Sequence, residues 1–199
     1  MLIDRIPSIS SSRWMCFVDG ENLTARAQKI ERDRELRLEE GPCYVRDTFL
    51  WFPKMDVLDV VLSTASVTVP HHCAARSYYY ASVRGDQVKQ QDVREKLRAL
   101  GFQPEVFGRS KDDTKSKGLD LSIARDILSH GFRDNYDVMV LIAGDGDYVP
   151  LLEEVKRLGK ICIVGFFEKE GLNPELRLAA DQFAAIDWCL LSKWPPRAG

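Results

Sequence analysis

The sequence predicts an α/β fold: a three-layer sandwich with a mainly parallel central sheet and helices on both faces. Three observations predict it. Short apolar runs alternate with amphipathic helical segments over the C-terminal two-thirds of the 199 residues, a pattern that gives parallel strands joined by right-handed crossovers. The run Val138–Ile142 is apolar throughout, as a strand covered on both faces must be. Two apolar runs end in acids, Trp14–Asp19 and Val138–Ala143 followed by Gly144-Asp145, and ligands of open α/β sheets bind outside the carboxyl ends of the strands.

Taken in order, Met1 to Arg13, with its Ser8–Ser12 run, reads as a loose tail and not as a signal peptide, because it has no long apolar stretch. Trp14–Asp19 reads as a buried strand and Glu21 to about Arg34 as a helix with Asn22 near its start. The segment from about 34 to 72 is less regular and reads as an insertion with some helix. Ala74–Val83, with Tyr78, Tyr79 and Tyr80, is a strand. Asp86 caps a helix through Leu100, stopped by Gly101. Phe102–Phe107 is a further strand, and 108–117 is a polar, basic loop. Gly118 to about His130 is a helix, and 144–147 a turn. Pro150 fits the first turn of a helix that ends at Leu158–Gly159. Lys160–Phe167 is a strand, Pro174 to about Ala180 a helix, and Phe183–Leu191 the last ordered stretch. The organisation is therefore a tail at 1–13, one domain at 14–191 and a tail at 192–199.

Composition excludes several classes. Apolar residues make up 45% and charged residues 29%, with a net charge of −2; the pI is about 6.0. The chain can bury a core but is not drawn to nucleic acid by bulk charge, so such a partner must be held by a local basic patch and by metal ions. No run approaches the roughly 20 apolar residues of a membrane span, and a cytoplasmic location is the default. The five cysteines are widely spaced with no CxxC, which fits small buried thiols in a reducing compartment. His71-His72-Cys73 comes nearest to a zinc site, but neighbours on a strand point to opposite faces.

The acids carry the functional signal. Asp19 and Asp145 lie at strand ends. Asp120 shares a helical face with Ile123, Ala124, Ile127 and Leu128 and is expected on the inward side, where a lone carboxylate is costly and calls for a cation, a donor or a helix N-terminus. Asp126 lies about 120° off that face and reads as solvated or ion-paired. Asp147 either caps the next helix or reaches a metal. Clustered carboxylates are donors for magnesium or manganese, and an ion held there can polarise a phosphodiester and activate water.

Three motifs then match a known family: Phe17-Val18-Asp19-Gly20-Glu21-Asn22, the stretch from Lys117 through Asp120 to Asp126, and Ala143-Gly144-Asp145-Gly146-Asp147-Tyr148-Val149-Pro150. In this order they resemble NYN domains, especially the LabA-like branch, within the PIN-like nuclease superfamily. Ala180-Asp181-Gln182-Phe183 also resembles that branch's ending, whereas Ala143 stands where the family usually has serine. The resemblance implies a Rossmann-like (PIN-like) sheet and a Mg2+- or Mn2+-dependent ribonuclease, an endonuclease acting on RNA. It implies Asp19, Asp120 and Asp145 as metal ligands, Asn22 as the group that orients water or phosphate, and Asp147 as a water-mediated partner. Arg109, Lys111, Lys115 and Lys117 are expected to contact RNA phosphates, with Arg84 and Lys89 similar, unless they are solvated loop residues. Tyr78–Tyr80 are either core or a base-stacking face.

The alternatives are a non-catalytic RNA-binding or regulatory module and a metal-dependent phosphatase. Asp19 followed by Glu21 departs from the Asp-x-Asp of haloacid-dehalogenase enzymes. There is no P-loop and no GxGxxG after the first strand. A homodimer or a regulatory protein partner at the insertion is compatible with the sequence.

Overall fold

The computed structural model describes residues 13–52, 74–109 and 118–193. Six strands form one parallel sheet: β1 (Trp14–Asp19), β4 (Ala74–Val83), β5 (Gln103–Gly108), β6 (Val138–Ile142), β7 (Ile161–Phe166) and β8 (Gln182–Ala185). Their spatial order is β5-β4-β1-β6-β7-β8, and every neighbouring pair is parallel. The connection from β1 proceeds outward to β4 and β5. It then returns to the opposite side of β1 and proceeds outward again. The strand order therefore reverses between β1 and β6, which makes their carboxyl ends the topological switch point.

The helices are α1 (Gly20–Asp33), α2 (Gln87–Ala99), α3 (Leu119–Phe132), α4 (Val149–Arg157), α5 (Pro174–Ala179) and α6 (Asp187–Lys193). Two cores flank the sheet. On one face, Leu23, Ala27 and Ile30 of α1 and Val93 and Leu97 of α2 pack against Cys16, Val18 and Tyr79. On the other, Leu119, Ile123 and Ile127 of α3 and Leu151, Leu152 and Val155 of α4 pack against Met15, Phe17 and Leu141. All residues of β1 and of β6 are buried, which explains their unbroken apolar runs. Asp86 caps α2 by accepting from the Lys89 amide at 2.9 Å. Gly101 and Gly159 follow α2 and α4 at φ +90° and +75°, the left-handed values that end a helix.

The segment after α1, read from the sequence as an insertion with some helix, is described only as far as residue 52. Its described part forms an antiparallel hairpin, β2 (Tyr44–Val45) with β3 (Phe49–Leu50), and the aromatic run Phe49 to Phe52 is buried. Residues 53–73, including His71, His72 and Cys73, lie outside the described residues. The hairpin is pinned to the sheet by Tyr79, whose hydroxyl donates to the Leu50 carbonyl at 2.8 Å and accepts from the Leu50 amide at 3.1 Å. It is pinned to α1 by Arg46, whose Nη2 lies 3.1 and 3.0 Å from the two oxygens of buried Glu31.

Cys16, Cys162 and Cys189 are buried free thiols, as the sequence predicts for the first two. Tyr78, Tyr79 and Tyr80 are 7%, 0% and 0% exposed. They are core, and a base-stacking face is thereby corrected. No described helix is long and apolar enough to cross a membrane.

Tyr79→Phe removes both hydrogen bonds to Leu50 while keeping the ring. The expected loss is about 1–3 kcal/mol of unfolding free energy in denaturant titrations; unchanged stability would show that the hairpin is not held through this hydroxyl.

Candidate functional site

The switch point gathers the acids. Asp19 is the last residue of β1 and the N-cap of α1, its Oδ1 accepting from the Asn22 amide at 2.9 Å. The turn onto α1 runs so close to β4 that a Cβ on Gly20 would lie 2.6 Å from the Tyr80 carbonyl oxygen and 2.1 Å from a Tyr79 ring carbon. Only glycine fits after Asp19. Asn22 then reaches across to β6: its Oδ1 accepts from the Gly144 amide at 3.0 Å. This bond fixes the two strand ends relative to each other.

Beyond β6, Asp145 begins a single 3-10 turn, Gly146–Tyr148, by accepting from the Asp147 amide at 3.2 Å. The turn directs Tyr148 back into the core, where it is 3% exposed. Its hydroxyl oxygen lies 2.9 Å from Asp19 Oδ2 and 3.2 Å from Asp120 Oδ1. The two carboxylates are therefore no farther apart than those two contacts combined. Asp19, Asn22, Asp120 and Asp145 line a common cleft of about 370 Å³, bounded by α1, the hairpin turn at Asp47–Thr48, Ser82 and Arg109.

Asp19 is 4% exposed. Burial pushes its carboxyl up to about 7, Asn22 and Tyr148 draw it down by hydrogen bonding, and Asp120 and Glu21 raise it further by repulsion. No cation pairs with Asp19 among the described residues; its partners are the Asn22 amide and the Tyr148 hydroxyl. Burial, followed by the two neighbouring carboxylates, pushes the Tyr148 phenol far above its ordinary range. It stays neutral and acts as a donor. At the cleft wall, Arg109 Nη1 pairs with Glu21 Oε1 at 3.1 Å, with side-chain exposures of 11% and 19%.

Several sequence expectations are corrected here. Asp120 is not on the inward face. The buried stripe of α3 is Leu119, Ile123 and Ile127, and Asp120 is exposed at the cleft rim, where water contributes to its solvation. Asp147 does not cap α4. Its amide is itself capped by Asp145, and position 148 precedes α4 with no side-chain cap. Arg109 is not a solvated loop residue but a largely buried partner of Glu21. Lys111, Lys115 and Lys117 lie outside the described residues. Asp126 is ion-paired with Arg125 at 2.8 Å, as one reading had it, and also accepts from the Tyr80 hydroxyl at 2.9 Å.

Sequence reasoning missed Tyr148 and the Glu21–Arg109 pair. The signal for Tyr148 was its place three residues after Asp145 as the polar aromatic of that motif; Glu21 and Arg109 are 88 residues apart and gave none.

Among the described residues, no three His, Cys, Asp or Glu side chains are already gathered closely enough to hold a metal ion. The donor chemistry nevertheless fits a hard divalent cation: carboxylate oxygens of Asp19 and Asp120 meet at one hydroxyl, Asp145 lines the same cleft, and no described cation pairs with the buried carboxyl.

Comparison with known proteins agrees with this architecture. A family model describing the NYN domain matches residues 13–187. No curated protein matches. Among solved structures, the chain is similar to a protein of unknown function from Vibrio parahaemolyticus RIMD 2210633, with 21% identity and a TM-score of 0.58 over 92% of this chain and 98% of that one. Identity that low shows a shared fold alone. The fold is the α/β sandwich of PIN-like type that NYN domains have, and NYN is generally a nuclease family. With the family's match running from β1 through the start of α6, the chain belongs to the NYN domain family.

Proposed function

We propose that this protein is a metal-dependent ribonuclease of the LabA-like branch, an endonuclease that hydrolyses RNA phosphodiester bonds with Mg2+ or Mn2+ held by Asp19, Asp120 and Asp145. The observation that supports this most is Asp19: a carboxyl removed from water, facing a cleft, without a cation partner among the described residues. A buried carboxylate of this kind is costly until a counter-charge arrives. A divalent ion in this cleft would supply that charge, polarise a bound phosphodiester and lower the pKa of an attacking water.

The chain's own groups have distinct roles in this reading. Asn22 uses its oxygen on Gly144, which leaves its amide nitrogen as a donor to water or phosphate in the cleft. Exposed Asp147 acts through water. Arg109, held by Glu21, presents positive charge at the cleft wall for the RNA backbone, and Lys111, Lys115 and Lys117 continue that basic segment. A second reading, an RNA-binding or regulatory module without catalysis, is favoured by one observation: no three acids are preassembled among the described residues.

Cleavage of labelled linear and circular RNA in Mn2+, Mg2+ or EDTA tests the proposal. Metal-dependent cutting of both forms is expected, with Asp19→Asn and Asp145→Asn each losing at least about 100-fold in rate. Cleavage that survives EDTA or both substitutions would sink it, and RNA binding without cleavage would favour the regulatory module.

The pH dependence of stability gives a second check. Burial holds the Asp19 carboxyl at about 7 in the folded protein, well above the ordinary carboxylate range of about 4 in the unfolded chain. The native state therefore binds a proton more tightly than the unfolded chain, and this contribution to stability is complete below about 4 and is lost as pH rises towards 7. In EDTA, the folding equilibrium constant of the wild type relative to Asp19→Asn is expected to fall by up to about tenfold per pH unit across that window and to level off above it. A ratio independent of pH would show that Asp19 is not buried as described.

A further inference from the structure

Tyr148 connects all three acids. Its hydroxyl lies within hydrogen-bond distance of Asp19 Oδ2 at 2.9 Å and Asp120 Oδ1 at 3.2 Å, joining residues 129 and 28 positions away in sequence. Its backbone belongs to the 3-10 turn that Asp145 caps. The position of the third acid and the position of the phenol are thus set by one short segment. Asp120 is exposed on the first turn of α3, where an unrestrained side chain would sample several rotamers. Tyr148 is 3% exposed and belongs to the buried core that includes Leu119, Leu151 and Leu152, so its oxygen is a fixed point from which that carboxylate is held.

A phenol has one proton, and it can donate to only one of two carboxylates at a time. With both acids ionised, a cation between them would offset the repulsion of the two carboxylates that meet at this hydroxyl. We infer that Tyr148 is a positioning residue that holds Asp19 and Asp120 as a ligand pair and thereby sets the affinity of the cleft for a divalent cation. This inference rests on the metal-dependent reading of the site. It concerns a residue outside the acid set, acting through its hydroxyl alone.

Tyr148→Phe keeps the ring in the core and removes only the oxygen. The experiment is Mn2+ binding to the wild type, Tyr148→Phe, Asp120→Asn, the corresponding double variant and Asp19→Asn, followed by electron paramagnetic resonance of free Mn2+. Thermal unfolding in EDTA confirms that each variant is folded. Tyr148→Phe is expected to weaken Mn2+ binding by about 10–100-fold, the range for partners that orient metal ligands. The double variant is expected to lose less than the product of the two single losses, since the phenol acts through Asp120. In cleavage assays the Mn2+ concentration for half-maximal rate should rise by the same factor, with the rate at saturating Mn2+ within about threefold of wild type. If Asp19→Asn abolishes binding but Tyr148→Phe binds Mn2+ as the wild type does, the inference is overturned and the nuclease reading stands. If the wild type shows no Asp19-dependent Mn2+ binding, both are overturned.

Discussion

The site depends on a carboxylate at the end of a strand that has no access to water along its length. β1 lies between β4 and β6, paired in parallel to both, with helices on each face, so everything from Trp14 to Asp19 is buried. Such a strand is apolar by necessity, and Asp19 is the polar exception at its carboxyl end. The backbone partly compensates by offering the Asn22 amide, and the core offers one phenol. Neither supplies positive charge. The same strand order that buries Asp19 also makes its end the switch point, the place where an α/β sheet opens to a ligand. Burial and access to the cleft therefore have one structural origin.

The remaining contacts hold that end in register. Asn22 ties the start of α1 to the loop after β6 through Gly144, and Tyr148 ties that loop back to β1 and forward to α3. The hairpin contributes a wall. Glu31, Arg46 and Tyr79 anchor it to α1 and β4, which brings the Asp47–Thr48 turn to the cleft. The acids thus sit on elements whose relative positions these contacts hold, with Asp120 joined to Asp19 through the Tyr148 hydroxyl.

Much of this was legible in the sequence because it depends on local pattern. Strand and helix alternation gave five of the six strands of the large sheet, β8 falling in a last stretch whose type the pattern left open, and the two strand-end acids gave the location of the cleft. The misreadings were tertiary. Helical periodicity placed Asp120 with Ile123 and Ile127, but the sheet surface selects Leu119 for the buried stripe and turns Asp120 to the rim. Asp147 looks like a cap by position, yet Asp145 takes that role one turn earlier and so forms the turn that aims Tyr148. Arg109 sits in a basic stretch that reads as meeting either phosphates or solvent, and only the fold brings Glu21 beside it. The hairpin escaped notice because its strands are two residues each, too short for a period to register, and its stability comes from Tyr79 and Glu31 elsewhere in the chain.

The central claim is that the buried Asp19 carboxyl at the end of β1, which has no cation partner among the described residues, is a cation site. Anomalous diffraction from crystals grown with Mn2+ tests it most directly. The account predicts a single strong peak in the cleft about 2–2.3 Å from a carboxylate oxygen of Asp19, with Asp120 and Asp145 as further direct or water-bridged ligands. A cleft without a peak at saturating Mn2+, or a peak at which Asp19 takes no part, would contradict it.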